Sequence, residues 1–185
     1  GFVPTDEIQE VFMNYTMLKK SISELEKNNK KVDNEQKYLN KNSSETFSKV
    51  NNEDIEKAKL WLDNSIKKSN EDLKYEETIL TQKYKSFLND ASAYIWGGDS
   101  DLTEDEVKIK WGKEYDMSKI DNFSLCGNGS SGEIISKTKF KELKDNSIMI
   151  FETILKDTGS NESCMKEINV VKINNIFYIN RIYSL

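Results

Sequence analysis

The sequence predicts an α+β fold: a long N-terminal antiparallel helical hairpin, coiled-coil-like, followed by a small four-stranded antiparallel meander packed on helix. Three observations carry this reading. Ile8, Val11, Tyr15, Leu18, Ile22, Leu25, Val32, Leu39 and Val50 fall on a and d positions of one seven-residue frame. Glycine and proline are absent from Thr5 through Trp96. After Trp96 the text changes to apolar–polar alternation broken by short Asn- and Asp-bearing joints. The expected domains are residues 1–96, a helical hairpin or bundle, and residues 97–185, an α+β sheet domain.

The first helix is expected to start near Thr5-Asp6, behind Pro4, with Asp6, Glu7 and Glu10 at its positive end. The polar pair Asn51-Asn52 is the obvious break, and Asn52 can cap a helix opening on Glu53-Asp54-Ile55. Two arms of nearly equal length follow, 5–50 and 53–96, each roughly 65 Å long at about 1.5 Å per residue. The second arm carries Ile66, Leu73, Leu80, Phe87 and Tyr94 at sevens, reinforced by Leu62, Tyr84 and Ala91. The seam is uneven. Asn29, Gln36, Ser43 and Thr46 occupy frame positions in the first arm, and Ser65, Ser69 and Glu76 thin the second. Polar seam residues loosen register, so the half near the termini should be the firmer one. A three-helix arrangement with a break near Asn28–Lys31 is the structural alternative. The stripe reads first as core packing. A partner helix, or a homodimer through the helices, is the other reading, since heptads pair equally well within one chain or between two.

Gly97-Gly98 stops the second arm, and Thr103 with Glu106 has capping-box spacing ahead of a short helix through about Lys113. Four strand-like runs follow, at about Glu133–Leu143, Ser147–Lys156, Cys164–Ile173 and Ile176–Ser184. Asp145-Asn146 and Asn174-Asn175 sit at two of the joints, and both pairs tolerate the positive φ of primed hairpin turns. Gly159 lies in the longer Asp157–Glu162 joint. Short joints make neighbouring strands antiparallel, hence the meander. In that meander Cys126 and Cys164 come to the same end of the sheet, and a loop freed by Asn128, Gly129, Ser130, Ser131 and Gly132 can close the gap between them. A bridge implies an oxidising compartment; otherwise the two are small hydrophobes in a reducing one.

Composition excludes several function classes. Charged residues make up 32%, the net charge is −5 and mean hydropathy is −0.71, which suits long helices with wide solvated faces. Arg181 is the only arginine, and the lysines are interleaved with acids, a pattern that argues against nucleic acid. No run approaches the roughly 20 apolar residues of a transmembrane helix. The chain has no histidine, which removes Ser-His-Asp and Cys-His nucleophilic sites and the commonest general base near neutral pH. No metal and no cofactor is expected: two cysteines without histidine make a poor zinc site. Asp99–Asp105 resembles the start of a calcium loop but carries Glu104 at the tight-turn position and Lys110 at the twelfth. Gly1-Phe2-Val3-Pro4 lacks a methionine, so either a leader has been removed or Gly1 is an added residue. We read the chain as part of a longer secreted or lipid-anchored protein, the anchor lying upstream.

Candidate ligand-binding residues lie at the junction and on the last strand. Trp96, Trp111 and Tyr115 bracket the linker between helix and sheet and, with Phe123, line a pocket or pin the sheet to the helix as a hinge core. The run Phe177–Tyr183 alternates, placing Phe177, Ile179, Arg181 and Tyr183 on one face and Tyr178 on the other. An arginine on a half-apolar strand face is either paired with an acid or turned toward an anionic ligand.

The hairpin text Lys172-Ile173-Asn174-Asn175-Ile176-Phe177-Tyr178-Ile179 resembles the last hairpin of nuclear transport factor 2-like or cystatin-like bacterial secreted proteins, over residues 80–185 at most. The resemblance implies a long helix laid across a curved antiparallel sheet, whose concave face the second helix should fill. Two functional readings remain, the first preferred. One is a non-enzymatic cell-envelope or secreted protein that binds another protein or a small ligand. The alternative is a cone-type lyase or isomerase, with Asp116 or Glu152 as base and Tyr115 or Tyr178 as acid.

Overall fold

Four antiparallel strands form a sheet in simple sequence order: β1 (Ile134–Lys144), β2 (Ile148–Asp157), β3 (Ser163–Ile173) and β4 (Ile176–Ser184). The computed structural model describes residues 45–126 and 132–185, all within the unit Glu45–Leu185. Both predicted turns are present: Asp145 and Asn146 take φ of 52° and 54° in the three-residue joint before β2, and Asn174 and Asn175, at 50° and 64°, form the two-residue joint before β4. Two positive φ values in a row match the right-handed twist of the strands they join.

Each edge strand carries one bulge. Phe140 pairs with Phe151 but Glu142 with Ile150, leaving Lys141 as the extra residue of β1. Val170 pairs with Ile179 but Asn169 with Arg181, leaving Asn180 extra in β4. A bulge reverses which face the following side chains occupy. The expectation that Phe177, Ile179, Arg181 and Tyr183 share a face is therefore corrected: Arg181 and Tyr183 lie on the face opposite Phe177 and Ile179.

The sheet has one core face. Met149, Phe151, Leu155, Ile168, Val170, Ile179 and Ile182 are buried there. Helix α1 (Asn52–Glu71) packs on it through Ile55, Ala58, Leu62 and Ile66, spaced as one helical stripe. Its polar residues are aimed as well. Asp63 accepts the hydroxyls of Ser136 at 2.8 Å and Thr138 at 2.6 Å, Trp61 tilts against Phe177, and Lys172 donates to Asp54 at 2.7 Å. The capping residue is Asn51 rather than Asn52: it forms a reciprocal capping box with Asp54.

The long antiparallel helical hairpin is not supported. The heptad residues from Ile8 to Leu39 lie outside the described residues. Residues 45–50 are not helical: Ser48 N–H donates to Lys172 C=O and Val50 N–H to Asn146 C=O, tying this segment to the turn end of the sheet. The second arm is three helices, α1, α2 (Leu73–Ile79) and α3 (Gln82–Trp96). Asp72 ends α1 in extended backbone and caps α2 by accepting the Lys74 N–H. Leu80 bridges to Ile179 of β4, and Thr81 donates to Ile179 C=O at 2.8 Å before capping α3. Gly97, at φ 81°, stops α3 as expected. Helix α4 (Glu104–Trp111) carries the predicted Thr103–Glu106 capping box, and a 3₁₀ turn at Met117–Lys119 follows.

The chain then returns over the core face as a strap, residues 120–126. Lys166, wholly buried on that face, donates to the carbonyls of Asn122 and Leu125 at 2.5 Å each and lies 3.3 Å from Asp121. Burial pushes the Lys166 amine below the usual lysine range against the pull of Asp121, and burial likewise raises the nearby Glu76 carboxyl against the pull of Lys166. The strap ends in a disulfide between Cys126 and Cys164, Cα atoms 5.6 Å apart.

Two tethers on one strap give two expectations. Both cysteines should resist alkylation in the native protein and become modifiable on reduction, read by intact mass; reduction should lower unfolding free energy by about 4 kcal/mol, the chain-entropy value for a 38-residue loop. Lys166→Met should cost about 3 kcal/mol in urea unfolding, because it strands two part-buried carbonyls and a carboxylate.

Candidate functional site

The second face of the sheet is built differently from the first. Toward the hairpin end Ile150, Asn169 and Val171 are buried, whereas Ile135, Ile154 and Met165 at the other end are 41–53% exposed. Over the covered end lies a cleft of about 530 Å³. Its floor is Ile148, Ile150, Asn169 and Arg181, with Asn180 beside them. Its walls come from Phe47, from Lys83 in the first turn of α3, and from Lys113–Tyr115 behind α4. Glu45 fastens the first wall to the second: its carboxylate accepts the N–H groups of Gln82 at 2.9 Å and Lys83 at 3.2 Å. That places a negative charge on the free amides at the start of α3.

The bulges set the charges on this face. Glu152 and Glu167 stand directly opposite each other in the β2–β3 register, an arrangement that repels by itself. Lys141, the bulged residue of β1, reaches between them at 3.3 Å and 2.9 Å. Arg181, re-aimed by the β4 bulge, donates to Glu167 at 2.6 Å and lies 4.2 Å from the Tyr183 ring centre. Burial opposes the Glu167 charge, but the hydrogen bond from Lys141 and the two cations prevail and hold its carboxyl below the usual 4.5.

Tyr115 belongs to an aromatic cluster. Its ring stacks on Phe87 at 4.4 Å and contacts Tyr84 at 5.5 Å and Trp111 at 5.9 Å. Trp111 is fixed in turn by its indole N–H, which donates to Asp90 at 2.6 Å. A second cleft, also about 530 Å³, opens on the other side of this cluster between Tyr94, Val107, Trp111 and Met117, and Tyr115 lines both. The Tyr115 hydroxyl is buried without a hydrogen-bond partner, and so is Nε of Arg181. Burial pushes the Tyr115 phenol well up, with Glu114 and Glu45 pushing the same way, so it stays protonated and is a donor.

The sequence-predicted residues divide accordingly. Trp111 and Tyr115 come together, and Tyr115 shares the sheet-face cleft with Arg181. Trp96 ends α3 with 54% of its surface exposed and lines neither cleft. Tyr178 is half-buried opposite Val171, also outside both. Phe123 is buried in the strap. Asp116 is exposed and bound to the Ser118 N–H and hydroxyl, which lower its carboxyl; Glu152 is paired with Lys141. Among the described residues no group of three His, Cys, Asp or Glu side chains is placed to hold a metal, and no helix is long and apolar enough to cross a membrane. Sequence reasoning missed Lys141, Glu167 and Asn169. Their only signal was register, and the bulges that set it are silent in the pattern.

Glu167 gains its partners by folding, so its contribution is complete above about pH 4.5 and is lost as pH falls through its lowered folded value. Glu167→Gln should therefore cost about 2 kcal/mol at pH 7 and distinctly less at pH 3.5, in urea unfolding at both values. Set against known family models, curated proteins and solved structures, the chain matches none.

Proposed function

We propose that this chain is a non-enzymatic binding protein of the cell envelope or of the secreted fraction, taking a small ligand in the sheet-face cleft. The observation that carries the reading is the cleft itself: a concave, half-apolar space of about 530 Å³, within the roughly 300–1,000 Å³ of ligand sites. It brings together two residues that each keep one buried donor without a partner, the Tyr115 hydroxyl and Nε of Arg181. The Cys126–Cys164 bridge supports an oxidising compartment. The resemblance to nuclear transport factor 2-like or cystatin-like secreted proteins points the same way, since it too implies a helix laid across an antiparallel sheet.

The lyase or isomerase alternative has less support. A general base needs a carboxylate free to take a proton in a dry site. Asp116 is exposed, with its charge stabilised by Ser118, and Glu152 is held by Lys141.

Two-dimensional ¹⁵N NMR against a set of small anionic, neutral and cationic molecules tests the proposal. Saturable shifts should gather at Ile148, Ile150, Asn169 and Tyr115, with every compound recovered unchanged. Shifts confined to the exposed Ile135–Ile154–Met165 end, or conversion of a compound, would overturn it.

A further inference from the structure

Resting on the binding reading above, we infer that the sheet-face cleft takes a small organic carboxylate, with an apolar body against Phe47, Ile148 and Ile150 and its anionic end toward Arg181 and Tyr115. The hydrogen-bond inventory leads here. Arg181 spends Nη2 on Glu167 at 2.6 Å, with Asn169 Oδ1 at 3.4 Å, and leaves Nε without a partner. Tyr115 leaves its hydroxyl without one. Both groups donate, and what two unspent donors lack is an acceptor. A guanidinium with an unspent N–H offers the charge-assisted hydrogen bond that a carboxylate oxygen accepts, and both donors are closed to solvent, so the ligand reaches them by a small shift of the cleft wall.

Rim charge does not decide the sign. Of the acids lining the cleft, Glu114 is paired with Lys83 and Glu167 is shared between Lys141 and Arg181, leaving Glu142 exposed at the rim. Lys113 and Lys144 line the same rim with no ion pair among the described residues. Once the paired groups are set aside, Lys113 and Lys144 balance Glu142 and the Glu45 carboxylate of the wall, so preference for an anion rests on the Arg181 and Tyr115 donors. The apolar residues decide the body: Ile150 is buried on the floor, and Phe47 and Ile148 are half-buried beside it.

The test uses three molecules of one shape, phenylacetate, phenylacetamide and phenethylamine, titrated at constant ionic strength. The readouts are the backbone ¹⁵N resonances and the Arg181 Nε–H resonance. Phenylacetate should saturate the cleft, move the Arg181 Nε–H signal, and bind about tenfold tighter than the amide. Tyr115→Phe should leave thermal stability unchanged or raised, since it deletes a hydroxyl that bonds nothing, and should weaken phenylacetate about fivefold. Equal or tighter binding of the amide or the amine in the cleft overturns the carboxylate assignment while leaving the binding reading intact. Absence of cleft shifts with all three overturns both. Unchanged phenylacetate affinity in Tyr115→Phe, or non-saturating shifts at surface lysines alone, overturns the assignment as well.

Discussion

The outer edge of β4 is the constraint around which the helices are arranged. An edge strand presents a row of free N–H and C=O groups, a template for unwanted pairing. Here that edge is occupied by the chain itself. Thr81 donates to Ile179 C=O at 2.8 Å, and Asp121 donates to Ile182 C=O at 3.4 Å. Tyr84 places its hydroxyl between them, accepting the Ile182 N–H at 3.2 Å. These contacts explain the interruption of the helical text: Leu80 and Thr81 must be extended to pair with a strand, so α2 ends and α3 begins there. They also fix the second wall of the cleft, because Lys83 follows Thr81 by two residues, and the third, because the segment behind α4 must return to pair at Ile120–Asp121. The other edge, β1, is blunted by composition, with Lys137, Lys139 and Lys141 in succession.

What the sequence made legible were the features with a local cause. Alternation set four strands within a residue or so of their bounds, and paired Asn and Asp residues set two turns whose positive φ they tolerate better than most residues. The Thr103–Glu106 capping box and the Gly97 stop are local in the same way. What stayed hidden were decisions made across long sequence distances. Ile66, Leu80 and Phe87 recur at sevens and all three are buried, so the stripe tracked burial over most of its length. It failed at Tyr94, which is 40% exposed, and could not show that Leu80 reaches the core from extended backbone, bridging a residue about a hundred positions away. Val50 fits the heptad frame equally well, yet its N–H belongs to Asn146.

The candidate site was legible by residue type but not by neighbourhood. Tyr115 and Arg181 stood out as an aromatic at a junction and a lone arginine on a strand. That they share a cleft follows from the β4 bulge, which moves Arg181 to the opposite face from Ile179, and from the pairing that brings the 113–121 segment back to the sheet. Bulges commonly re-aim side chains beside functional sites, and both bulges here feed one ionic cluster: Lys141 from β1 and Arg181 from β4 meet on Glu167. Without the β4 bulge Arg181 would turn to the other face and Glu167 would lose one of its two cations.

The two faces of the sheet differ in how completely their polar groups are answered, and the contrast bears on function. On the core face Thr138 bonds both Asp63 and Thr153, and Lys166 spends its ammonium on two carbonyls, an amide oxygen and a carboxylate. The exception on that side, the Ser69 hydroxyl of α1, is a rotor that can turn to its own helix, as such side chains often do. On the cleft face an arginine Nε and a tyrosine hydroxyl go unanswered in a structure that elsewhere satisfies a buried lysine in full. Each unspent buried donor costs about 1–3 kcal/mol. A fold able to answer Lys166 has the means to answer Tyr115 with one more side chain oxygen. Two such donors beside one cleft set this face of the sheet apart from the core face.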